Sequence, residues 1–576
     1  MNEKVVNCMK FSEFDYQRPL LDDVKNGFQV NIEALKAATT AESALEAVKT
    51  IQTLQKTLET QGNIASIRNS IDTRDAFYEE EMAFWDENIP VIEDWQNDYY
   101  QAVLASSFKA ELTDYLSKPF IKMAENSLKV FDPTIIPLLQ KENKLSTEYS
   151  KLLASAQIEY KGEVYNLAGL AAFQQSIDRE ERKTVTTLIS NFMSDNLETL
   201  DRIYDDLVKT RHQIALDLGF KDFVEVGYLR MNRLDYDRND VEIYREEVLN
   251  YVVPLANDIF KRQAERIGVA DMKHYDLPLE YKDGNAKPIG TPEEILQNGV
   301  KMYHELSPET GEFIDFMVEK ELLDLVTKPG KAGGGYCTYI SDYKSPFIFS
   351  NFNGTSGDVD VLTHEAGHAF QVYQSRWLET PEVIWPTYES CEIHSMSMEF
   401  IAWPWMELFF GEQTDKYKYS HLASGVTFLP YGVLVDHFQH EVYEKPFMTP
   451  AERRQTWRQL EKQYNPWKDY DGDDYFEEGG FWLRQGHIFS SPFYYIDYTL
   501  AQVCAFQFWK RTQVEQDETA WQDYLNICNV GGTQSFLEMI ETANLKSPFE
   551  KGNLEAVIAS IREYLTNVSD DALQIK

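Results

Sequence analysis

From Asn31 to Ile67 the chain reads NIEALKAATTAESALEAVKTIQTLQKTLETQGNIASI, in which apolar residues mix with polar ones at the period of an amphipathic helix. Similar patterns recur to about Phe220, so this half is expected to be helical. Its breaks fall where Gly and Pro punctuate it, at Phe131-Asp-Pro-Thr, at Tyr160-Lys-Gly and around Leu218-Gly-Phe-Lys-Asp. Asp276 to Pro292 is rich in turn formers, and a glycine run, Thr327 to Gly335, follows. Tyr336 to Ile340 and Pro346 to Phe352 then have the aromatic and β-branched composition of short strands and predict a small hairpin. From Asp358 onward helices dominate to the C-terminus, and no fixed repeat or low-complexity linker interrupts the 576 residues.

Composition narrows the choices. Hydrophobic residues make up 43% and aromatics 13%, enough to fill a large globular core. The formal charge of -39 repels phosphate backbones and anionic lipid heads, so nucleic acid and membrane surfaces are not expected partners. Mild attraction of cationic substrates is the sharper consequence. The five cysteines (Cys8, Cys337, Cys391, Cys504, Cys528) are odd in number and lack C-x-x-C spacing, as in a reduced protein without a disulfide framework. The opening MNEKVVNCMKFSEFDYQRP has no apolar signal core, and no stretch gives about 18 consecutive apolar residues. A cytoplasmic location is expected, and with it an unglycosylated Asn353-Gly-Thr.

Two motifs fail on inspection. Gly330-Lys-Ala-Gly-Gly-Gly335 lacks the frame of a phosphate-binding P-loop and reads as a flexible loop. Asp469-Tyr-Asp-Gly-Asp-Asp474 puts its glycine at the fourth position of a calcium loop rather than the sixth, and reads as a solvated acidic turn.

A third motif survives. Asp360 to Phe370 reads DVLTHEAGHAF, and a chain of this length should hold roughly 0.02 copies of H-E-x-x-H by chance. Asp358 can cap a helix here, with Asp360 at the favourable end of the dipole. Four residues advance about 400°, which leaves His364 and His368 on one face and one turn apart, within reach of one ion. Gly367 in mid-helix costs about 1 kcal/mol relative to Ala, and close approach of another backbone is a natural reason for it. Zinc that keeps one position open for water needs a third protein ligand. Gln371 and Gln374 stand where the metzincin continuation requires Gly and His, so a carboxylate is the remaining common choice. Pro386-Thr387 starts a second helix that carries Glu389, Glu392 and Glu399 on one face before Pro404.

The pair HEAGH and Glu392-Ile-His-Ser-Met-Ser-Met-Glu399 resembles the zinc site of the thimet oligopeptidase and oligoendopeptidase F family, whose second helix carries E-x-x-S-x-x-x-E. That register implies Glu392 as the third zinc ligand beside His364 and His368, and Glu399 as a carboxylate orienting it or a ligating histidine. The gap of 23 residues between His368 and Glu392 is slightly short for the thimet branch and leaves Glu389 open as the ligand. Gly486-His-Ile-Phe-Ser-Ser-Pro-Phe-Tyr-Tyr-Ile-Asp-Tyr498 resembles the family's histidine with clustered tyrosines. Ser491-Pro492 is expected to cap a new helix with Tyr494 and Tyr498 at i and i+4 and Tyr495 alongside. The wording HEAGHAFQ and SPFYYIDYTLAQ is most similar to the bacterial oligoendopeptidase F-like and Pz-peptidase-like members.

The resemblance implies a mainly α protein whose two helical lobes enclose a deep channel, with the small hairpin beside the histidine helix. Approximate bounds are 1–200 for an N-terminal lobe and 201–576 for a catalytic lobe. The implied function is a zinc endopeptidase of short peptides, with Glu365 as general base and Tyr498 and His487 stabilising the oxyanion. Tyr494, Tyr495 and Tyr336 are candidate substrate contacts, and the strand Pro346 to Phe352 is expected to offer a free edge to an extended peptide. The alternatives are a zinc exopeptidase releasing C-terminal dipeptides and a non-catalytic helical peptide-binding protein. No obligate protein partner is expected.

Overall fold

The computed structural model describes residues 9–328 and 330–573; Cys8 and Pro329 of the glycine run lie outside them. Among the described residues the chain is mainly helical, with one sheet of two strands and one of three. Among the described residues no helix is long and apolar enough to cross a membrane.

The Asn31–Ile67 pattern forms two helices rather than one, Leu21–Lys36 and Ala41–Ile71. Thr40 starts the second by accepting a hydrogen bond from Ser43 N, and hydroxyl caps of this kind outcompete continuation of the helix. The break at Tyr160-Lys-Gly is the turn of a β-hairpin, β1 (Ile158–Tyr160) on β2 (Glu163–Tyr165), within the half expected to be all helical. Lys161 and Gly162 both have positive φ, as a tight hairpin turn requires. The helix Leu197–Asp217 ends where expected, with Gly219 left-handed.

The larger sheet corrects the expected hairpin. A further strand, β3 (Leu323–Val326), pairs in parallel with β5 (Ser345–Phe352), while β4 (Tyr336–Ile340) pairs antiparallel on β5's other side. β5 is therefore central and has no free edge, and the peptide-sized edge belongs to β4. Four residues, Leu-Asp-Leu-Val, are too few for β3 to announce itself by alternation.

The helices Ala41–Ile71, Ala76–Ala105 and Lys118–Val130 share a core of their own, with Phe28, Ile51, Trp85, Tyr99 and Phe120 buried in it. Val383, from the segment between the two helices of the metal motif, enters that same core. The segment is fixed further by Gln52 and Gln55, whose amides donate to Thr380 Oγ1 and Glu382 Oε1, and by Tyr100, whose hydroxyl reaches the same Glu382 oxygen. The acidic turn at Asp469 to Asp474 is tied down by lysines: Asp469 pairs with Lys273 and Asp471 with Lys183.

Candidate metal centre

The H-E-x-x-H motif lies on the helix Gly357–Ser375, called here the histidine helix. Val359, Leu362, Ala366 and Phe370 hold it in the main core. Asp358 does not cap it as expected: the residue lies inside the first turn, and its carboxylate accepts from Asn353 N and Gly354 N at 2.8 Å each, holding the preceding loop. The glutamate helix, Tyr388–Ile401, crosses it at Gly367. A Cβ on Gly367 would lie 2.7 Å from His394 O and 2.7 Å from Ser395 Cα, so only glycine lets the two backbones meet.

That contact brings Glu392 to the histidines. Its Oε2 lies 3.3 Å from His364 Nε2 and 3.5 Å from His368 Nε2, and one ligand atom from each of the three residues falls within 4.8 Å of the others. Ser395 Oγ donates to Glu392 Oε2 at 2.9 Å and Tyr494 OH donates to Oε1 at 2.7 Å. His364 Nδ1 lies 2.7 Å from Glu399 Oε1. A carboxylate only accepts, so Nδ1 carries a proton, which leaves Nε2 as the nitrogen whose lone pair would face an ion. Burial opposes charge on Glu392, but His368 and His364 hold its carboxyl well below the usual range; burial likewise opposes charge on His364, and Glu392 and Glu399 raise it well above the ordinary imidazole value. The cluster thus gathers protons around buried carboxylates, and a divalent cation can take the place of those protons. Two imidazole nitrogens and a carboxylate oxygen converging so closely fit a tetrahedral ion with one position left open.

Glu365 is buried beside them, and its Oε2 has no hydrogen-bond partner. Burial raises its pKa, with His364 and His368 opposing. A Cβ on Gly335 would crowd Val361 Cγ1 at 3.1 Å and Phe349 O at 3.3 Å, and would stand in ordinary contact with Glu365 Oε1 at 3.5 Å. Glu389 stands apart from the cluster, fully buried, with its carboxyl oxygens unpartnered; burial and Asp497 push its pKa well above the usual range.

The expected start of the tyrosine helix shifts by a turn: the helix runs Tyr495–Trp509, with Tyr494 at the N-cap position. Phe493, just before it, takes a left-handed φ of 69°. Arg233 holds this strained turn by donating to Phe493 O and, at 3.1 Å, to Asp497 Oδ1, while Gln439 Oε1 accepts from Phe493 N at 3.0 Å. Gly227 leaves space for the Phe493 ring, which a Cβ would approach to 2.4 Å.

Tyr336, His364, Glu365, His368, Glu392, Tyr494 and Tyr498 line one cavity of about 460 Å³, which β4 borders through Tyr336 to Thr338. A second cavity of about 370 Å³ reaches His364 from the other side, past Glu399, His421, His487, Tyr495 and Tyr498. Tyr498 OH is 3.4 Å from His487 Nε2. The structure thus brings the site residues read from the sequence to two cavities that share His364 and Tyr498, with Glu399, Tyr495 and His487 in the second and Glu389 in neither. Tyr494, expected as a substrate contact, commits its hydroxyl to Glu392. Arg233, His421 and Gln485 were not singled out by sequence, and Gly335 was read only as part of a flexible glycine run. Gln485, whose amide nitrogen is 2.9 Å from His487 Nδ1, sits two residues before that histidine and was open to detection by proximity alone.

Comparison with known proteins gives the family of the chain. Residues 11–131 match the Peptidase M3 N-terminal domain and residues 172–558 match Peptidase family M3. The chain is similar to a structure of PZ peptidase A with an inhibitor, at 52% identity over 97% of this chain and 100% of that one, with a TM-score of 0.96. It is also similar to a chain of Bacillus anthracis str. Ames assigned to oligoendopeptidase F, at 50% identity over 98% and 99% of the two chains and a TM-score of 0.91. An oligoendopeptidase F homolog of Borreliella burgdorferi is 22% identical over 472 residues, 77% of each chain.

Proposed function

We propose a function from one premise: the chain belongs to peptidase family M3 and is a peptidase. Our reading is a zinc-dependent endopeptidase that cuts internal bonds of short peptides. The observation that carries it is the convergence of His364, His368 and Glu392 beside a buried Glu365 whose Oε2 has no partner.

His364, His368 and Glu392 would hold the zinc ion. When bound there, zinc supplies a Lewis acid that polarises a carbonyl and lowers the pKa of a water molecule towards about 7. Glu365 Oε2 is free to take the proton of the attacking water, and its raised pKa suits it to hold that proton and then give it to the leaving amine. Tyr498 keeps its hydroxyl proton, because burial lifts its pKa far above the ordinary phenol value, and so donates to the carbonyl oxygen as charge develops there. His487 stands behind it as a second donor. Tyr494 keeps Glu392 facing the histidines.

The edge of β4, beside Tyr336, would receive the peptide as an added strand, which binds main chain and leaves side-chain choice loose. A cavity of about 670 Å³ shares Met123, Asn232 and Glu382 with the central one and extends the space available to a short chain. No obligate protein partner enters this reading.

The test is incubation of a mixed peptide library with the wild type, the wild type plus chelator, and Glu365→Gln, followed by mass spectrometry of every cut. Internal cuts abolished by chelator and by Glu365→Gln, with zinc still stoichiometric in the variant, are expected. Normal turnover by Glu365→Gln would sink the assigned base, and products trimmed only from the C-terminus would replace endo- by exopeptidase action.

A further inference from the structure

His421 lies on the helix Thr414–Glu444, outside both motifs and 22 residues beyond Glu399, and touches Glu399 on the oxygen that His364 does not use. Its Nε2 is 2.7 Å from Glu399 Oε2, and its Nδ1 lies 2.9 Å from the Trp403 indole nitrogen. An indole N–H can only donate, so Nδ1 must be an unprotonated acceptor; the proton then sits on Nε2 and is donated to Glu399. Trp403 is 1% exposed, so its N–H is shielded from bulk solvent. Burial resists charge on His421 whereas Glu399 favours it, the balance raising its pKa. The indole works against that pull, because an imidazolium would set two N–H groups face to face and strand the buried donor. The ring itself is held between Tyr417, parallel at 5.5 Å, and Phe400 at 4.7 Å.

Glu399 therefore accepts one N–H on each oxygen, from His421 and from His364. Lacking the first, the carboxylate could turn about its own side-chain bonds and lose its alignment with His364 Nδ1. We propose that His421, fixed by Trp403 as the Nε2–H tautomer, is a positioning residue that locks Glu399 onto His364 and so sets how tightly the His364–His368–Glu392 cluster holds its ion. This rests on the metal reading of the preceding section.

The test measures zinc affinity, not turnover, by competition with a chromogenic chelator. Outer partners of metal-bound histidines typically contribute about 10- to 100-fold in metal affinity. His421→Phe, which keeps a ring but no donor, is expected to weaken zinc by about 10-fold or more. His421→Gln, whose amide can place an N–H near the Nε2 position, is expected to stay within about 3-fold of wild type. Trp403→Phe, expected to fall between them, answers the same question should His421→Phe fail to fold. Unchanged affinity in His421→Phe and Trp403→Phe overturns the inference alone, as does an equal loss in His421→Phe and His421→Gln, which would mark a packing effect. A wild type that binds no zinc overturns the metal reading as well.

Discussion

Gly367 and His394 meet backbone to backbone, with space for a hydrogen but not a methyl group between them. Alanine at Gly367 would gain about 1 kcal/mol of helix propensity. Against this stands a contact with main-chain atoms, which cannot swing aside as a side chain can, and overpacking of this kind costs about 1–3 kcal/mol. The clash is expected to win. Gly367→Ala should lower the unfolding midpoint and also weaken zinc, because the helices that part carry different ligands; calorimetry and chelator competition on one preparation check both.

Tyr498 and Tyr494 are expected to separate by effect. Tyr498→Phe should cut kcat by about 100- to 1000-fold with little change in KM, the loss typical of a donor to developing charge. Tyr494→Phe removes the hydrogen bond to Glu392, so its main effect should be weaker zinc binding. Steady-state kinetics at saturating zinc distinguishes the pair, and identical behaviour would contradict the assignment.

Arg233 is predicted to control the tyrosines from a distance. Arg233→Met strips Asp497 of its buried partner and frees the left-handed turn at Phe493. Breaking one side of a buried ion pair costs about 3–5 kcal/mol. Denaturant unfolding should show such a loss, and kcat should fall even in samples that remain folded.

Acid sensitivity should trace to Glu142. Burial alone would raise its pKa, but Arg230 and Arg211 bring it down to about 2 from 4.5. The unfolded chain thus takes up a proton before the folded one does. This stability is present above pH 4.5 and is lost as the pH falls towards 2; about 2.5 units correspond to roughly 3 kcal/mol. Glu142→Gln should flatten the stability curve between those two pH values, as followed by urea titrations.

Substrate charge should matter through the medium. The 670 Å³ cavity is lined by Asp86, Glu93, Glu142 and Glu382 against the single arginine Arg230, in a chain of net charge -39. For a cationic peptide kcat/KM should drop as salt rises from about 10 to 150 mM, where the screening length shortens to about 8 Å, and for a neutral analogue it should not.

The first two proposed ligands were legible because a helix of fixed pitch turns the spacing of His364 and His368 into a shared face. Glu392 was harder to single out, since Glu389 and Glu399 lie on the same helix and only the fold shows which carboxyl meets the histidines. His421 and Arg233 carry no local pattern at all; each acts on a residue that folding alone brings near. The strand β3 was missed because four residues cannot establish a period, and that omission moved the free edge from β4 to β5. Tyr494 was recognised as part of the site, but the direction of its hydroxyl depends on a turn that begins one residue earlier.

The segment carrying Thr380, Glu382 and Val383 has a consequence for how substrate enters. It bridges the histidine helix and the glutamate helix, yet its side chains are rooted in the N-terminal helices. Any swing of those helices wide enough to admit a peptide must drag on the tether between the first two ligands and the third. A displacement of the N-terminal helices would therefore be felt in the spacing between His368 and Glu392.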